Sequence, residues 1–267
     1  MAPVNVTAPS IGIFDSGVGG LTVVKEIIKM HPEYNIIYFG DTARLPYGPK
    51  SPDTILRYAR EIICYLQSHN VSSIVIACNT ATAFALEKLQ KEVSCPLIGV
   101  VSPGAKKAAA SSSNGRIGVL ATKGTVASDI YKKEIQSHRP EATVFQVACP
   151  LFVPLIEEGL TEHPATQMII KEYLDSLKKE KPDTILLGCT HYPLLMEHLQ
   201  KFFGPETHII NSAETCAMEL KKFPDKKNTI MTKPKYTFYV SDSPEDFLKS
   251  SRRFLGIEIP EVLKHII

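Results

Sequence analysis

Short runs of apolar residues alternate along the chain with longer segments in which apolar residues recur every three or four positions. The short runs predict strands buried on both faces, and the longer segments predict amphipathic helices. The predicted strands cover residues 11–14, 35–39, 74–76, 96–101, 116–121, 143–147, 208–210 and 235–240, together with the apolar run before Cys189. The predicted helices cover residues 21–30, 51–69, 126–137, 166–177, 213–220 and 244–254, together with a helix from residue 80 onward. Strands that alternate with helices are typical of an α/β protein with mostly parallel sheets.

Two pairs of segments repeat this layout at nearly the same spacing. Residues 77–80, Ala-Cys-Asn-Thr, align with residues 188–191, Gly-Cys-Thr-His, so that Cys78 matches Cys189 at an offset of 111 residues. The segment that starts at Ile11 matches the segment that starts at Ile117, at an offset of 106 residues. The repeat predicts two similar α/β halves. Each half has a cysteine at the carboxyl end of a strand, where open α/β sheets bind ligands.

Cys78 lies where a buried strand passes into a helix. The unpaired N–H groups at a helix N-terminus favour anions, and the positive end of the helix dipole favours a thiolate. A single cysteine at such a place is more often a small apolar residue that closes a strand. Because a second cysteine occupies the equivalent place in the other half, two thiols that face each other across a cleft become the leading hypothesis.

The glycine-rich turn after the first strand allows three interpretations. Its sequence, Asp15-Ser16-Gly-Val-Gly-Gly, is neither a dinucleotide-binding fingerprint nor a P-loop, which argues against a nucleotide site. It could be a tight turn that lets a small anion approach the backbone, with Asp15 and Ser16 as side-chain contacts. Asp15 could also simply cap the helix that follows.

Three further candidate sites each also allow a purely structural interpretation. The loop at 41–51 follows a strand and could be a lid or specificity loop, or a rigid turn held by its prolines and glycine. Glu157 belongs to a carboxylate pair that is either a solvated turn or part of a cleft. Cys189 and His191 could begin a metal site, but no segment supplies further ligands at the usual spacing.

Composition argues against several classes of protein. The 267 residues are 44% hydrophobic and 22% charged, which is ordinary for one or two globular domains. The net charge of +2 gives no electrostatic argument for nucleic acid or a membrane surface, and no apolar run approaches the roughly 20 residues of a membrane helix. The first residues lack the features of a signal peptide, and the six cysteines include no C-x-x-C pair, so a cytoplasmic protein with reduced thiols is expected. We expect Cys64 in the core and a solvated loop in the lysine-rich segment 221–235.

Two opposed thiols suit the inversion of a carbon centre. One group removes a proton from one face of the carbon while the other delivers a proton to the opposite face. A thiol has an unperturbed pKa of about 8.5, near enough to neutral pH for either role. Asp15 could accept a proton near one thiol, and His191 could do so near the other. Backbone N–H groups and the hydroxyls of Ser16, Thr80 and Thr190 could stabilise the carbanion that forms.

The motifs that contain these residues resemble those of the glutamate racemases in the aspartate/glutamate racemase family. The matching stretches are residues 14–22, 40–51, 77–83, 149–159 and 187–195, and they occur in the family's order over about residues 10–256. The resemblance implies an isomerase that interconverts L- and D-glutamate with neither a cofactor nor a metal. It would supply D-glutamate for bacterial peptidoglycan biosynthesis, and so for cell-wall biogenesis and cell shape.

The resemblance also implies an architecture and partners. The fold would be two similar α/β domains related by pseudo-two-fold symmetry, residues 11–98 with 212–267 and residues 99–211, and the active site would lie in the cleft between them. Family members are commonly homodimers that act on free glutamate, with no expected contact to a membrane or to nucleic acid. Some need a peptidoglycan-precursor activator and some inhibit DNA gyrase, and this sequence decides neither property.

Roles for individual residues follow from the same resemblance. Cys78 and Cys189 would be the two acid–base thiols, and Asp15, Glu157 and His191 would assist them. The substrate contacts would be Asp15, Ser16, Tyr47, Gly48, Asn79, Thr80, Thr190 and His191.

Two alternatives stay open at this point. A racemase of aspartate or of another amino acid would share the two-thiol arrangement. A binding protein without catalysis, for example a gyrase inhibitor on the same fold, would not need both thiols.

Overall fold

The structure, a computed structural model, describes residues 9–220, 233–259 and 261–267. Its strands are β1 (Ser10–Asp15), β2 (Asn35–Gly40), β3 (Ser73–Ile76), β4 (Leu97–Gly99), β5 (Arg116–Ala121), β6 (Thr143–Ala148), β7 (Thr184–Gly188), β8 (His208–Asn211), β9 (Tyr236–Val240) and β10 (Val262–Lys264). Its helices are α1 (Leu21–Met30), α2 (Pro52–Gln67), α3 (Asn79–Leu89), α4 (Val101–Ser111), α5 (Lys123–Ala127), α6 (Ile130–His138), α7 (Phe152–Glu157), α8 (Pro164–Lys179), α9 (Met196–Phe203), α10 (Ser212–Glu219) and α11 (Pro244–Leu255). The lysine-rich loop predicted at 221–235 lies almost wholly outside the described residues.

The strands form two parallel sheets, which confirms the predicted α/β fold. The first sheet has the order β10-β9-β2-β1-β3-β4, and the second has the order β6-β5-β7-β8. The order β2-β1-β3-β4 in the first sheet therefore recurs as β6-β5-β7-β8 in the second. The register recurs too, since Ile11 lies opposite Ser73 in the first sheet and Ile117 lies opposite Thr184 in the second. These pairs keep the offsets of 106 and 111 residues seen in the sequence.

The C-terminal segment contributes to the first sheet. β9 pairs with β2, and β10 pairs with β9, so strands from both ends of the chain share one sheet. The domain boundaries 11–98 with 212–267 and 99–211 stay a prediction.

Burial follows the predicted pattern in most elements. Every residue of β3 and β7 is buried, as expected for apolar strands with helices on both faces. In α2 the apolar face at 55, 59, 62 and 66 is fully buried. The expectation for Cys64 is wrong, because this thiol is exposed. It lies two positions from both Ile62 and Leu66, and residues two apart point to different sides of a helix.

The structure corrects two predicted elements. The helix expected at 126–137 is divided into α5 and α6, because Asp129 adopts a left-handed conformation with φ of 58° between them. The strand expected at 96–101 ends at Gly99, and α4 begins at Val101. Pro103 lies in the first turn of α4, where a missing N–H leaves no intrahelical bond unmade. The short elements α7 and β10 were not predicted.

The two sheets come together through the turn after β1 and the segment after β7. Thr22 Oγ1 donates a hydrogen bond to the carbonyl of Thr190 at 2.9 Å. Gly19 lies at the closest approach, since a Cβ atom there would be 2.3 Å from His191 Nδ1 and 2.4 Å from Thr190 Oγ1. Only a residue without a side chain lets the two segments approach this closely.

We therefore expect Gly19→Ala to lower the free energy of unfolding by about 1–3 kcal/mol, as overpacking does elsewhere. Gly17→Ala is the matched control, because a Cβ atom there would meet only Leu45 Cδ2 at an ordinary 3.5 Å. Urea denaturation of both variants checks this expectation. Equal stability of the two variants would mean that the side chains around Gly19 move aside at little energetic cost.

Candidate active site

Both repeated cysteines line one cavity between the two sheets. Cys78 follows β3, and Cys189 follows β7, which is the equivalent strand of the second sheet. We call this space the central cavity, and it has a volume of about 410 Å³. Its lining residues are Ser16, Gly17, Leu45, Pro46, Tyr47, Gly48, Pro49, Cys78, Asn79, Thr80, Thr122, Lys123, Pro150, Val153, Pro154, Glu157, Cys189, Thr190, His191 and Tyr192. Most of the predicted site residues thus lie around one space large enough for a small molecule.

Cys78 caps the N-terminus of α3 with its sulfur. Ala81 N–H donates to Cys78 Sγ at 3.4 Å, and Ser16 Oγ lies 3.8 Å from the same sulfur. Burial, together with the negative charge of Asp15, raises the pKa of the Cys78 thiol to about 12, although the bonds from Ala81 and Ser16 oppose this shift. At neutral pH, Cys78 is therefore a thiol in this environment.

Cys189 has a different environment, built from a histidine and a carboxylate. Its sulfur lies 3.9 Å from His191 Nδ1, and the other ring nitrogen, Nε2, lies 2.8 Å from Glu157 Oε1. Burial alone would lower the pKa of His191, but the bonds to Cys189 and Glu157 outweigh burial and raise the pKa to about 10. His191 is therefore an imidazolium at neutral pH, and it can stabilise negative charge on the sulfur of Cys189.

Asp15 lies at the end of β1, fully buried between the two cysteine segments. Its Oδ2 accepts the N–H of Gly17 at 3.0 Å, and Thr190 Oγ1 lies 3.5 Å from Oδ1. Burial raises the pKa of Asp15, while the charge of His191 and neighbouring backbone N–H groups oppose that shift. The N-cap position of α1 is Gly20. The carboxylate of Asp15 forms a turn with Gly17 and also interacts with the backbone N–H of Gly20, directly before the helix. Asp15 does not itself line the central cavity.

The loop at 41–51 closes one side of the central cavity. Tyr47 is buried and its hydroxyl donates to Asp41, the first residue of the loop, directly after β2. Asp41 also accepts a hydrogen bond from Ser241, directly after β9, so the loop is anchored at the end of the first sheet. Gly48 faces the second half, where a Cβ atom on it would lie 3.3 Å from Thr122 Cβ. The loop is therefore both a wall of the cavity and a contact between the halves, with an anchored tyrosine.

Hydroxyls from both halves meet beside this loop. Thr80 Oγ1 lies 2.9 Å from Thr122 Oγ1 and 3.1 Å from Thr125 Oγ1. Sequence reasoning missed Thr122 and Thr125, although the repeat contained a signal. Thr122 stands five residues after Ile117, just as Ser16 stands five residues after Ile11. A residue equivalent to a predicted contact was therefore itself a candidate.

Helix α11 supports the pair of Glu157 and His191 from the first half, which sequence reasoning also missed. Arg253 Nη1 donates to the carbonyls of Ile156 and Glu157 at 2.6 and 2.7 Å. The ring of Phe254 packs edge-on against the ring of His191, with centroids 5.2 Å apart. The sequence of α11 has the pattern of an ordinary amphipathic helix, and nothing in it marks these two residues as functional.

The described ranges contain neither a cluster of metal-binding side chains nor a membrane-spanning helix. Within residues 9–220, 233–259 and 261–267, no group of three or more histidine, cysteine, aspartate or glutamate side chains is arranged to hold a metal ion. No helix in these ranges is long and apolar enough to cross a membrane.

Comparison with known proteins relates this geometry to a family. The family model for Asp/Glu/hydantoin racemases matches residues 14–220. The glutamate racemase of Geobacter metallireducens is 46% identical over 256 residues, which is 95% of each chain. The crystal structure of glutamate racemase RacE1 from Bacillus anthracis superposes with a TM-score of 0.91 at 37% identity, over 98% of each chain.

Two further structures compare the chain with a glutamate racemase and with an aspartate racemase. Glutamate racemase from Francisella tularensis, solved in complex with D-glutamate, has a TM-score of 0.89 and 34% identity over 98% of each chain. Aspartate racemase from Picrophilus torridus has a TM-score of 0.57 and 21% identity, over 80% of this chain and 93% of that one, which shows a shared fold alone. The chain therefore belongs to the Asp/Glu/hydantoin racemase family, and within it to the glutamate racemases.

Proposed function

We propose that this protein interconverts L- and D-glutamate without a cofactor, using the thiols of Cys78 and Cys189 as its two acid–base groups. One observation supports this most directly. Two buried cysteines at the ends of equivalent strands line the same central cavity. A substrate between them would present opposite faces of its α-carbon to the two sulfurs. One thiolate removes the α-proton, and the thiol on the other side delivers a proton to the opposite face.

The two thiols need different help because their surroundings differ. Cys78 must lose a proton in one direction of the reaction, which its raised pKa of about 12 opposes. The α-ammonium group of a bound amino acid would bring a positive charge that favours the thiolate. Asp15 interacts electrostatically with both Cys78 and His191, and it is the candidate proton acceptor on this side. On the other side, the imidazolium of His191 supports Cys189, and Glu157 supports His191.

The carbanion formed next to a carboxylate is the other energetic difficulty. Asn79 and Thr80 open α3 and line the cavity, and the first N–H groups of a helix have no partner within the helix. The hydroxyls of Ser16, Thr80 and Thr190 add donors around the same space. Preorganised donors of this kind contribute about 3 kcal/mol each to a charged transition state.

Glutamate is the proposed substrate because the chain is more similar to the glutamate racemases than to the aspartate racemase compared above. The three glutamate racemases compared above cover 95–98% of this chain at 34–46% identity, and the Francisella tularensis protein was solved with D-glutamate. Residues Asp15, Ser16, Tyr47, Gly48, Asn79, Thr80, Thr190 and His191 are the proposed substrate contacts. Asp15 does not line the cavity, so it would act on the substrate through Thr190, whose hydroxyl lies 3.5 Å from Asp15 Oδ1.

The biological setting is part of the proposal. The product D-glutamate would supply peptidoglycan synthesis in the cytoplasm, and the protein would act as a homodimer, as the family resemblance implies. Some family members are activated by a peptidoglycan precursor or inhibit DNA gyrase, and neither property is part of the proposed function.

The direct test is turnover of the purified protein, followed by circular dichroism. We expect L-glutamate and D-glutamate to approach the same racemic mixture, and aspartate to react at least about 100-fold more slowly, which corresponds to about 2.7 kcal/mol of discrimination. Because two thiols supply both proton-transfer groups, turnover should persist after dialysis against EDTA. If aspartate turned over faster than glutamate, aspartate would be the substrate. If no amino acid turned over, a binding protein without catalysis would be favoured. Loss of turnover after dialysis that a metal restores would contradict the cofactor-free mechanism.

The second test separates the two thiols by substitution. Cys78→Ala and Cys189→Ala should each abolish racemisation, because the carbanion then lacks a proton donor on one side. The remaining thiol can still exchange the α-proton of one enantiomer with solvent. By family resemblance, Cys189→Ala should exchange only D-glutamate and Cys78→Ala only L-glutamate, measured by proton NMR in heavy water. Reversed preferences would change the facial assignment alone, whereas racemisation by either variant near the parent rate would contradict the two-thiol mechanism.

A third test concerns the histidine beside Cys189. Glu157→Gln should bring the pKa of His191 down from about 10 toward its ordinary value, because a neutral amide stabilises the imidazolium less than a carboxylate does. With the folded pKa above the unfolded 6.5, the imidazolium stabilises the fold fully below pH 6.5 and ceases to do so as the pH rises through about 10. NMR titration of the imidazole measures the pKa in both proteins.

In the same variant, kcat/KM should fall by about 10- to 100-fold. It should fall equally in both directions, because the equilibrium constant of racemisation is one. Glu162→Gln is the matched control, since Glu162 Oε1 lies 2.9 Å from Nε2 of the buried His198, outside the central cavity. Equal loss of activity in both variants would show that breaking any histidine–carboxylate pair damages the fold.

A further inference from the structure

We propose that Tyr131 is a positioning residue that orients the amide of Asn79 toward the bound substrate. The inference rests on the proposed function, because glutamate is the ligand whose carboxylate this amide would meet. Tyr131 belongs to α6, beside the second sheet, whereas Asn79 opens α3, beside the first. The contact therefore joins the two halves.

The hydrogen bond between these side chains is buried on both sides. The hydroxyl of Tyr131 donates to Asn79 Oδ1 at 2.5 Å, and the two residues are 0% and 2% exposed. Burial raises the pKa of Tyr131 above its ordinary value, so its hydroxyl keeps the proton that it donates. An amide that accepts on its oxygen side has its two N–H donors on the other side.

Those donors have no acceptor within the described residues. Asn79 Nδ2 is fully buried and makes no hydrogen bond, although buried polar groups nearly always find a partner. Asn79 lines the central cavity. The carboxylate of a glutamate molecule in that cavity is an acceptor of the right kind, and a bond from a neutral amide to a carboxylate is stronger than one between neutral groups.

Without the hydroxyl of Tyr131, the amide would lose the contact that distinguishes its two sides. A rotated amide would direct Oδ1 toward the substrate, and a carbonyl oxygen repels a carboxylate. The ring of Tyr131 has a separate function in packing, since a Cβ atom at Gly188 would lie 2.8 Å from Tyr131 Cε2. Gly188 directly precedes Cys189. One residue thus contacts the neighbours of both cysteines, with its hydroxyl on one side and its ring on the other.

The test separates these two functions with Tyr131→Phe, which keeps the ring and removes the hydroxyl. We expect KM to rise about tenfold for both enantiomers, with kcat within about twofold of the parent value, because the contact acts on the bound substrate and transition state alike. The dissociation constant of D-glutamate, measured by calorimetry, should rise by the same factor. Tyr65→Phe is the control, since Tyr65 is hydrogen-bonded to Tyr239 and lies outside the central cavity. It should leave KM unchanged.

A double variant decides whether Tyr131 acts through Asn79. Asn79→Ala alone should weaken D-glutamate binding about 30-fold, which corresponds to about 2 kcal/mol. Adding Tyr131→Phe should then change binding by less than about twofold, because no amide remains to be oriented. Losses that multiply in the double variant, or a Tyr131→Phe protein that binds D-glutamate as tightly as the parent, would overturn the inference while leaving the racemase intact. A parent protein that neither binds nor turns over glutamate would overturn the proposed function and this inference with it.

Discussion

The contact between the turn after β1 and the segment after β7 is the constraint on which the site depends. At Gly19 the two segments approach so closely that a single added carbon would overlap with His191 and Thr190. This approach places Asp15 within reach of Thr190 and brings Cys78 and Cys189 to one cavity. Without it, each sheet would still hold a cysteine at the end of a strand, but neither thiol would have a partner on the other face of a substrate.

The repeat explains why there are two thiols, but the chemistry depends on where the halves differ. Asp15 at the end of β1 corresponds to Ala121 at the end of β5, so only one half contains a carboxylate there. His191 corresponds to Thr80 in the alignment of the two cysteine segments, so only the second half has an imidazole at this position. A substrate with an ammonium group and two different carboxylates has no two-fold axis. A site with two identical halves would therefore bind it poorly, and the differences provide separate support for each thiol.

Each half also supplies residues that hold the active groups of the other. Arg253 and Phe254 of α11, next to the first sheet, fix the backbone of Glu157 and the ring of His191 in the second half. In the reverse direction, Tyr131 of the second half contacts Asn79 of the first. Side chains held by packing and hydrogen bonds from two directions have few alternative rotamers, which preorganises the site before substrate binds.

The sequence by itself determined nine of the ten described strands, most helices, the parallel α/β class and the pair of cysteines, because these depend on periodicity and on a repeat along the chain. It placed Cys64 on the wrong side of α2 and overlooked the break at Asp129, because a helical pattern does not show where a single residue turns left-handed. Tertiary structure alone decided which distant side chains meet. Tyr131 bonds to a residue 52 positions away and Arg253 to carbonyls 96 and 97 positions away. Such contacts depend on how two finished halves dock, and no local pattern of apolar and polar residues records that geometry.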